Sequence, residues 1–79
     1  DHWGPVFSVA LAGGGIRGGQ VYGRSDPAGG YPADGRVGPP DLHATMLHCL
    51  GYDPETLIHD TLGRPIPITR GQIIAPLVA

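Results

Sequence analysis

Glycine and proline interrupt this chain so often that long regular elements are excluded. The 79 residues include 14 glycines and 9 prolines, and both residue types weaken or break the interiors of helices and strands. A combined glycine and proline content this high approaches that of low-complexity chains. However, 41% of the residues are hydrophobic and only 15% are charged, which is the opposite of the balance in disordered chains. We therefore expect a folded, loop-rich polypeptide built from short elements.

The small size of the chain limits the core that it can build. A domain of this length buries only roughly 60% of the surface of its unfolded chain, and such domains usually need additional stabilisation. Cys49 is the only cysteine, so no disulfide can form within the chain. The chain also opens with Asp1-His2-Trp3 rather than with a methionine. We expect residues 1–79 to be one segment of a single larger domain, with the remainder of that parent domain as its partner.

Charge and hydropathy exclude two classes of function. The net charge is −2, with five arginines and no lysine, so a basic face for nucleic acid is not expected. The longest apolar stretch, residues 9–12, is far too short for a membrane segment. A chain without its natural start does not indicate whether the protein is exported, so its localisation stays open.

The first half of the chain predicts a buried strand followed by irregular structure. Residues 6–11 are β-branched and apolar and end at a glycine cluster, which is typical of a strand buried on both faces. A Gly-rich crossing over residues 13–19 leads to a second short strand at residues 20–22. Residues 24–40 carry turn signals throughout and predict a loop.

The second half predicts a helix, a hairpin and a docked tail. Residues 40–50 predict a helix that begins at a proline and stops at Gly51. Its apolar stripe consists of Leu42, Met46, Cys49 and Leu50. Residues 58–62 and 66–69 predict an irregular edge hairpin, because Pro65 and Pro67 cannot donate to a central ladder. The apolar residues 73–78 predict a tail that packs on the body.

Most residues with reactive side chains are expected to be structural. Residues 13–18 satisfy the pattern G-x-G-x-x-G, but residues 19–27 cannot form the helix that a nucleotide-binding loop needs, and no lysine completes a phosphate loop. We therefore expect no nucleotide. His43 and His48 lie about 140° apart around the helix and cannot share a site. Cys49 is expected to act as a small apolar residue, and His59-Asp60 to make a structural hydrogen bond at the hairpin turn.

Asp1 and His2 are the candidate metal ligands. They stand immediately before the predicted buried strand, beside Trp3, and loops at strand ends present ligands from a rigid base. Two donors fall short of the four ligands of a stable zinc site. An exposed pair of polar side chains is the alternative.

Several motifs, taken in order, resemble a known family over essentially all 79 residues. They are Asp1-His2-Trp3, the block from Phe7 to Gly23 that contains A-G-G-G-I-R-G-G, Tyr31-Pro32, Pro40-Asp41-Leu42-His43-Ala44-Thr45, His48-Cys49-Leu50-Gly51 and His59-Asp60-Thr61-Leu62-Gly63-Arg64-Pro65. This combination resembles the C-terminal portion of the domain of unknown function 1501 family. These proteins are sulfatase-like and similar to the alkaline phosphatase superfamily.

The resemblance implies a fold and a role for two residues. The fold is a three-layer α/β/α domain with a mostly parallel sheet, of which this chain is the C-terminal part: a buried strand, a Gly-rich crossing, one helix and an edge hairpin. His2 matches a late histidine that completes a two-metal site, and Asp1 ligates the metal or orients His2. The cofactor implied is a divalent metal, zinc or similar. His2 must be neutral to bind it, so activity falls as His2 is protonated.

The function implied is metal-dependent hydrolysis of a phosphate or sulfate ester by the parent protein. The nucleophile and the other ligands are not in this chain, so the isolated chain is expected to be inactive. One alternative is a non-catalytic relative with a binding or structural role. Another is a small independent interaction module whose apolar stripe binds a partner. Related proteins often carry export signals, so the resemblance suggests export as one localisation of the parent protein.

Overall fold

The computed structural model describes residues 3–79 and contains short elements separated by turns. Within these residues there are one α-helix, four short strands in two separate sheets, and one 3₁₀ helix. In chain order the elements are β1 (Arg24–Ser25), β2 (Pro32–Asp34), α1 (Pro39–Cys49), β3 (Leu57–His59), β4 (Pro65–Pro67) and the 3₁₀ helix Ala75–Leu77.

Helix α1 confirms the helix predicted at residues 40–50, with bounds one residue earlier at each end. Prolines occupy its first turn, where their missing N–H groups cost no hydrogen bond. Asp41 accepts a hydrogen bond from the backbone N–H of Gly38 at 3.0 Å, which satisfies a free donor at the helix start. At the other end Gly51 adopts a left-handed φ of 93°, which stops the helix as predicted.

The buried face of α1 is not the predicted apolar stripe. Ala44 and Thr45 are fully buried, whereas Leu50 is 72% exposed and Met46 is also exposed. Leu42 and Cys49 are only partly buried. Residues 6–11, the predicted buried strand, are themselves largely exposed.

Strands β3 and β4 confirm the predicted hairpin. They pair antiparallel with Ile58 opposite Ile66, and the observed strands begin one residue earlier than predicted. The prolines stand opposite the outer residues of β3, at His59↔Pro65 and Leu57↔Pro67. A ladder of this length tolerates them because both strands are edges.

Strands β1 and β2 correct the prediction of a continuous loop over residues 24–40. They pair antiparallel as a second two-stranded sheet with an irregular register. Next to this sheet, Gly23 and Gly35 lie so close that a Cβ on Gly23 would come within 2.8 Å of the Gly35 carbonyl oxygen. Both glycines have left-handed φ values. The turn residues that predicted a loop therefore close a small hairpin.

The predicted strands at residues 6–11 and 20–22 are absent from the fold of residues 3–79. Phe7 is 69% exposed, and Val9 and Val21 are exposed as well. A strand buried on both faces needs neighbouring strands and covering layers, and none of the described strands pairs with either segment. The expectation of a buried strand is therefore wrong for this chain as the structure describes it.

The C-terminal segment docks on the body, as predicted. Val78 forms an antiparallel β-bridge with Ile16. The Arg17 N–H donates to the Leu77 carbonyl at 2.8 Å, the Ala79 N–H donates to the Gly15 carbonyl at 3.0 Å, and the Gln20 side chain donates to the Pro76 carbonyl at 2.7 Å. The tail thus holds the Gly-rich segment in place.

A second set of contacts joins the tail to the first turns of α1; we call it the helix–tail junction. The Thr45 hydroxyl accepts the Ile74 N–H at 2.9 Å and donates to the Asp41 carbonyl at 2.8 Å. The Asp41 carboxylate accepts the Gln72 N–H at 2.9 Å. Ala44, Thr45 and Ile74 are the buried residues among residues 3–79, so the junction is also the centre of the small core.

These elements make a small mixed α/β structure of one α-helix and two small antiparallel sheets within residues 3–79. In the same residues, no helix combines the length and the apolarity needed to traverse a lipid bilayer.

Replacing Thr45 with valine tests the helix–tail junction. Thr45→Val keeps the shape but leaves the buried Ile74 N–H without its acceptor, so we expect unfolding to become easier by about 1–3 kcal/mol. Urea denaturation measures the change. Thr61→Val, at an exposed turn position, is the matched control. Its free energy of unfolding should stay within about 0.5 kcal/mol of that of the unsubstituted chain. Equal stability of the two variants would contradict the assignment.

Replacing Gly71 with alanine tests the close packing of the tail on α1. A Cβ on Gly71 would overlap the backbone of Pro40, so Gly71→Ala should destabilise the fold by about 1–3 kcal/mol or more. Gly18→Ala is the control, because a Cβ there meets nothing within 4 Å and φ is not left-handed. Thermal unfolding should separate the two variants, and a Gly71→Ala protein as stable as Gly18→Ala would show that the contact is not needed.

Candidate functional site

The two predicted metal ligands, Asp1 and His2, lie outside the residues that the structure describes. The structure does describe their neighbour Trp3. The Trp3 indole N–H donates to the Gly30 carbonyl at 2.8 Å. The Trp3 and Tyr31 rings form an edge-to-face pair, with ring centroids 6.3 Å apart and ring planes at 70°. This is a favoured geometry for two aromatic rings. The chain directly after His2 is therefore attached to the turn before β2.

That turn is held together by Asp26. The Asp26 carboxylate accepts the Gly30 N–H at 2.8 Å, its backbone N–H donates to the Tyr31 carbonyl at 2.8 Å, and its carbonyl accepts the Gly29 N–H at 2.9 Å. We call Trp3, Asp26, Gly30 and Tyr31 the Trp3 anchor. Turn signals at Asp26-Pro27 and Gly29-Gly30 are visible in the sequence, but the partner of Trp3 is 27 positions away, and no local pattern indicates it.

The histidines of the described chain do not converge. His43 and His48 are both exposed on α1, and His59 is exposed on β3.

Cys49 is partly buried at the end of α1, where Gly15 packs against it. A Cβ on Gly15 would lie 3.1 Å from the Cys49 Sγ. This agrees with the expectation that Cys49 packs as a small apolar residue.

The Gly-rich segment binds the tail. Its Ile16 N–H donates to the Gly13 carbonyl at 3.2 Å to close a turn, and residues 15–17 bond to residues 77–79. Residues 19–27 of the described structure contain no helix. Within this pattern the Arg17 N–H is bonded to the Leu77 carbonyl of the C-terminal segment.

The carboxylate of Asp60 organises the β3–β4 turn. One oxygen accepts the N–H groups of Leu62 and Arg64, each at 2.9 Å, and the other accepts the Arg64 Nε–H at 2.6 Å. These bonds, first of all the one from the Arg64 backbone, lower the pKa of Asp60. Asp60 therefore makes the structural hydrogen bond predicted for it, and its partner is Arg64 rather than His59.

The carboxylate of Asp41 also makes structural hydrogen bonds. Hydrogen bonds from the backbone N–H of Gln72, then from that of Gly38, lower the pKa of Asp41, and the positive charge of Arg36 adds to the effect. The sequence indicates Asp41 only as an acidic residue in the first turn of a helix. Its bond to Gln72 spans 31 positions and depends on where the tail lies.

Two open cavities lie beside these elements. One, of about 480 Å³, has a mixed polar and apolar lining from β4 and the segments on either side of the β3–β4 hairpin, among them Asp53, Glu55, Arg70 and Gln72. The other, of about 280 Å³, is a mainly apolar groove lined by His43, Met46, Leu47, Leu50 and Ile68.

Asp1 and His2, the predicted donors, carry groups of the kind that one side of a metal site would use. Imidazole nitrogen and carboxylate oxygen, the donors of His2 and Asp1, are ligand types that zinc accepts. Two such donors would fill two of the four positions of a stable zinc site. Among residues 3–79, no three histidine, cysteine, aspartate or glutamate side chains come together to hold a metal ion.

The helix, the two hairpins and the Trp3 anchor define a small α/β chain in which an anchored tryptophan follows two predicted ligands. The chain matches the family model described as "Protein of unknown function (DUF1501)" over residues 1–78, and it belongs to this family. Neither the search of curated proteins nor the search of solved structures returned a match.

The lowered pKa values predict how stability depends on pH. A carboxyl whose folded pKa lies below its unfolded value, about 3.9, stabilises the fold above that value, and the contribution is lost as pH falls through the folded pKa. Asp41 and Asp60 are both in this class. We expect the melting temperature to fall as the pH drops below about 4.

The Asp41→Ala change should lower the melting temperature at pH 7 and flatten this acid-side drop, as measured by circular dichroism melts between pH 2 and pH 7. Asp60→Ala should act in the same direction through the β3–β4 turn. An acid-side slope that is equally steep with and without the Asp41 carboxylate would refute its structural role.

Proposed function

We propose that this chain is the C-terminal segment of a metal-dependent phosphate- or sulfate-ester hydrolase-like protein. His2 contributes one late metal ligand, and Asp1 ligates the metal or orients His2. The nucleophile and the other ligands come from the remainder of the parent domain, because the two donors of this chain do not complete a site.

The observation that carries this proposal is the attachment of Trp3. A metal ligand holds its ion tightly only when the surrounding structure restricts its position. Trp3 follows His2 directly and is held by a hydrogen bond to Gly30 and an edge contact with Tyr31. An otherwise loop-rich chain therefore provides a fixed point one residue from its candidate ligand.

The exposed apolar segment supports the proposed place in a larger domain. Residues 6–11 have the β-branched, apolar composition of a buried strand, yet Phe7 and Val9 are exposed. Such a segment gains most by entering a sheet with layers on both faces. We propose that it becomes a strand of a three-layer α/β/α sheet in the parent domain, which would place His2 just before that strand.

A bound divalent cation would supply positive charge next to the ester oxygens of the substrate. The residues of this chain would contribute only to holding that cation. The neutral His2 imidazole donates a nitrogen lone pair, the Trp3 anchor fixes the adjoining backbone, and the Asp1 carboxylate adds a second donor or accepts a hydrogen bond from the imidazole.

Two other functions are the alternatives. One is a non-catalytic relative of the family, with a binding or structural role. An independent interaction module agrees with the exposed Met46 and Leu50 beside the apolar groove on α1. Cooperative unfolding of the isolated 79-residue chain as a monomer would favour the module, and an aggregated or molten chain would count against it.

Replacing His2 with alanine in the full-length parent protein tests the proposal. His2→Ala should reduce bound metal, measured by elemental analysis of the purified protein, together with hydrolysis of p-nitrophenyl phosphate or p-nitrophenyl sulfate. Loss of a direct ligand is expected to cost at least 100-fold in metal affinity, more than the 10–100-fold typical of residues that only orient a ligand.

His48→Ala is the matched control, because His48 is exposed on α1, and its metal content should equal that of the parent. Metal content unchanged in His2→Ala would remove His2 from the site. A parent protein that binds no divalent metal and hydrolyses neither ester would support the non-catalytic alternative.

A further inference from the structure

We propose that the cavity of about 480 Å³ beside the β3–β4 hairpin binds a free basic amino acid, a molecule with two ammonium groups and one carboxylate. The volume of the cavity lies within the range of about 300–1,000 Å³ that is usual for small-molecule sites. The charged groups that line it are the carboxylates of Asp53 and Glu55 and the guanidinium of Arg70. None of these residues is a proposed metal ligand, so this site does not depend on the proposed hydrolase function.

One wall of the cavity is ordered by the turn at Asp53. The Asp53 carboxylate accepts the Glu55 N–H at 2.9 Å, and the Asp53 carbonyl accepts the Thr56 N–H, also at 2.9 Å. The Thr56 carbonyl in turn accepts the Ile68 N–H at 2.9 Å, which joins this turn to the segment after β4. These bonds fix the backbone that carries both acidic residues.

The other wall is attached to helix α1. The Thr69 hydroxyl donates to the Pro40 carbonyl at 3.2 Å, and the Gln72 N–H donates to the Asp41 carboxylate at 2.9 Å. Arg70 lies between these two attached residues, so the helix–tail junction sets the position of its backbone. Because bonds within the chain hold both walls, a ligand does not have to order them, and this lowers the entropic cost of binding.

The opposite charges at the cavity do not neutralise one another. Among residues 3–79 the ion pair is that between Asp60 and Arg64, so Arg70 forms no ion pair with either carboxylate of the cavity. The side chains of Asp53, Glu55 and Arg70 are exposed. A ligand that brings an ammonium group to the carboxylates and a carboxylate to the guanidinium pairs charges that the described chain keeps apart.

The number of charges of each sign selects the class of ligand. Two carboxylates match two ammonium groups, and one guanidinium matches one carboxylate, with which it can form two parallel hydrogen bonds. Pro54, Pro67 and Ile73 also line the cavity and are partly buried, so they offer apolar surface to an aliphatic chain. Lysine and ornithine combine these features. A dicarboxylate would meet two like charges, and a diamine would leave the guanidinium without a partner.

The test is equilibrium dialysis of the full-length parent protein with radiolabelled L-lysine. Two comparison ligands each lack one charged group: L-norleucine lacks the side-chain ammonium, and cadaverine lacks the carboxylate. Each should compete with the labelled L-lysine about fivefold more weakly than unlabelled L-lysine does. This factor is the upper end for one exposed pair of charges.

Two substitutions distinguish the charges of the cavity. Arg70→Gln removes the partner of the ligand carboxylate, so it should weaken L-lysine binding about fivefold while cadaverine binds at least as well as before. Glu55→Gln removes a partner of an ammonium group and should weaken both L-lysine and cadaverine. Arg24→Gln is the matched control, because Arg24 is exposed on β1 and does not line the cavity. Its dissociation constant for L-lysine should equal that of the parent protein.

Three outcomes would overturn the site. The first is a parent protein that retains no labelled L-lysine at millimolar concentration, as it would if the remainder of the parent domain fills the cavity. The second is an Arg70→Gln variant that loses L-lysine and cadaverine equally, and the third is an equal loss in Arg24→Gln. Metal content in His2→Ala is a separate measurement, so either proposal can fail while the other stands.

Discussion

The structure depends first on the Thr45 hydroxyl. It accepts the Ile74 N–H and donates to the Asp41 carbonyl, so a single buried side chain connects the helix to a segment 29 positions away. A chain this small has few apolar residues to bury, and within residues 3–79 only Ala44 and Ile74 are buried apolar residues. In a chain with so small a core, the buried hydrogen bonds of Thr45 hold the helix and the tail together, whereas larger domains rely on apolar packing for this.

The sequence predicts those parts of the fold whose causes are local. The helix follows from prolines at its start and Gly51 at its end, and the β3–β4 hairpin from apolar runs around a glycine turn. The sequence does not predict the β1–β2 hairpin because residues 24–40 carry the turn signals of a loop, and the close approach of Gly23 to Gly35 joins residues that are distant in the chain. The strand expected at residues 6–11 fails because its composition describes a preference for burial, and residues 3–79 provide no partner strand.

The candidate site shows the same division between local and distant causes. Asp1 and His2 were assigned from their place before an apolar segment and from a family resemblance; family membership is shown by the match over residues 1–78, and the ligand roles stay a prediction. The Asp26 turn is visible in the sequence as D-P-A-G-G. Its connection to Trp3 is not, because any residue's backbone carbonyl can accept a hydrogen bond from an indole, and the two residues are 27 positions apart.

The way the tail holds the Gly-rich segment has a consequence for the order of folding during synthesis. The bonds from Gln20 to Pro76 and from Arg17 to Val78 join residues 56 and 61 positions apart. The Gly-rich segment leaves the ribosome long before these partners exist, so it stays unfastened while the helix and both hairpins can already form from neighbouring residues. The Gly-rich segment can adopt its final conformation only after residues 76–78 have emerged from the ribosome.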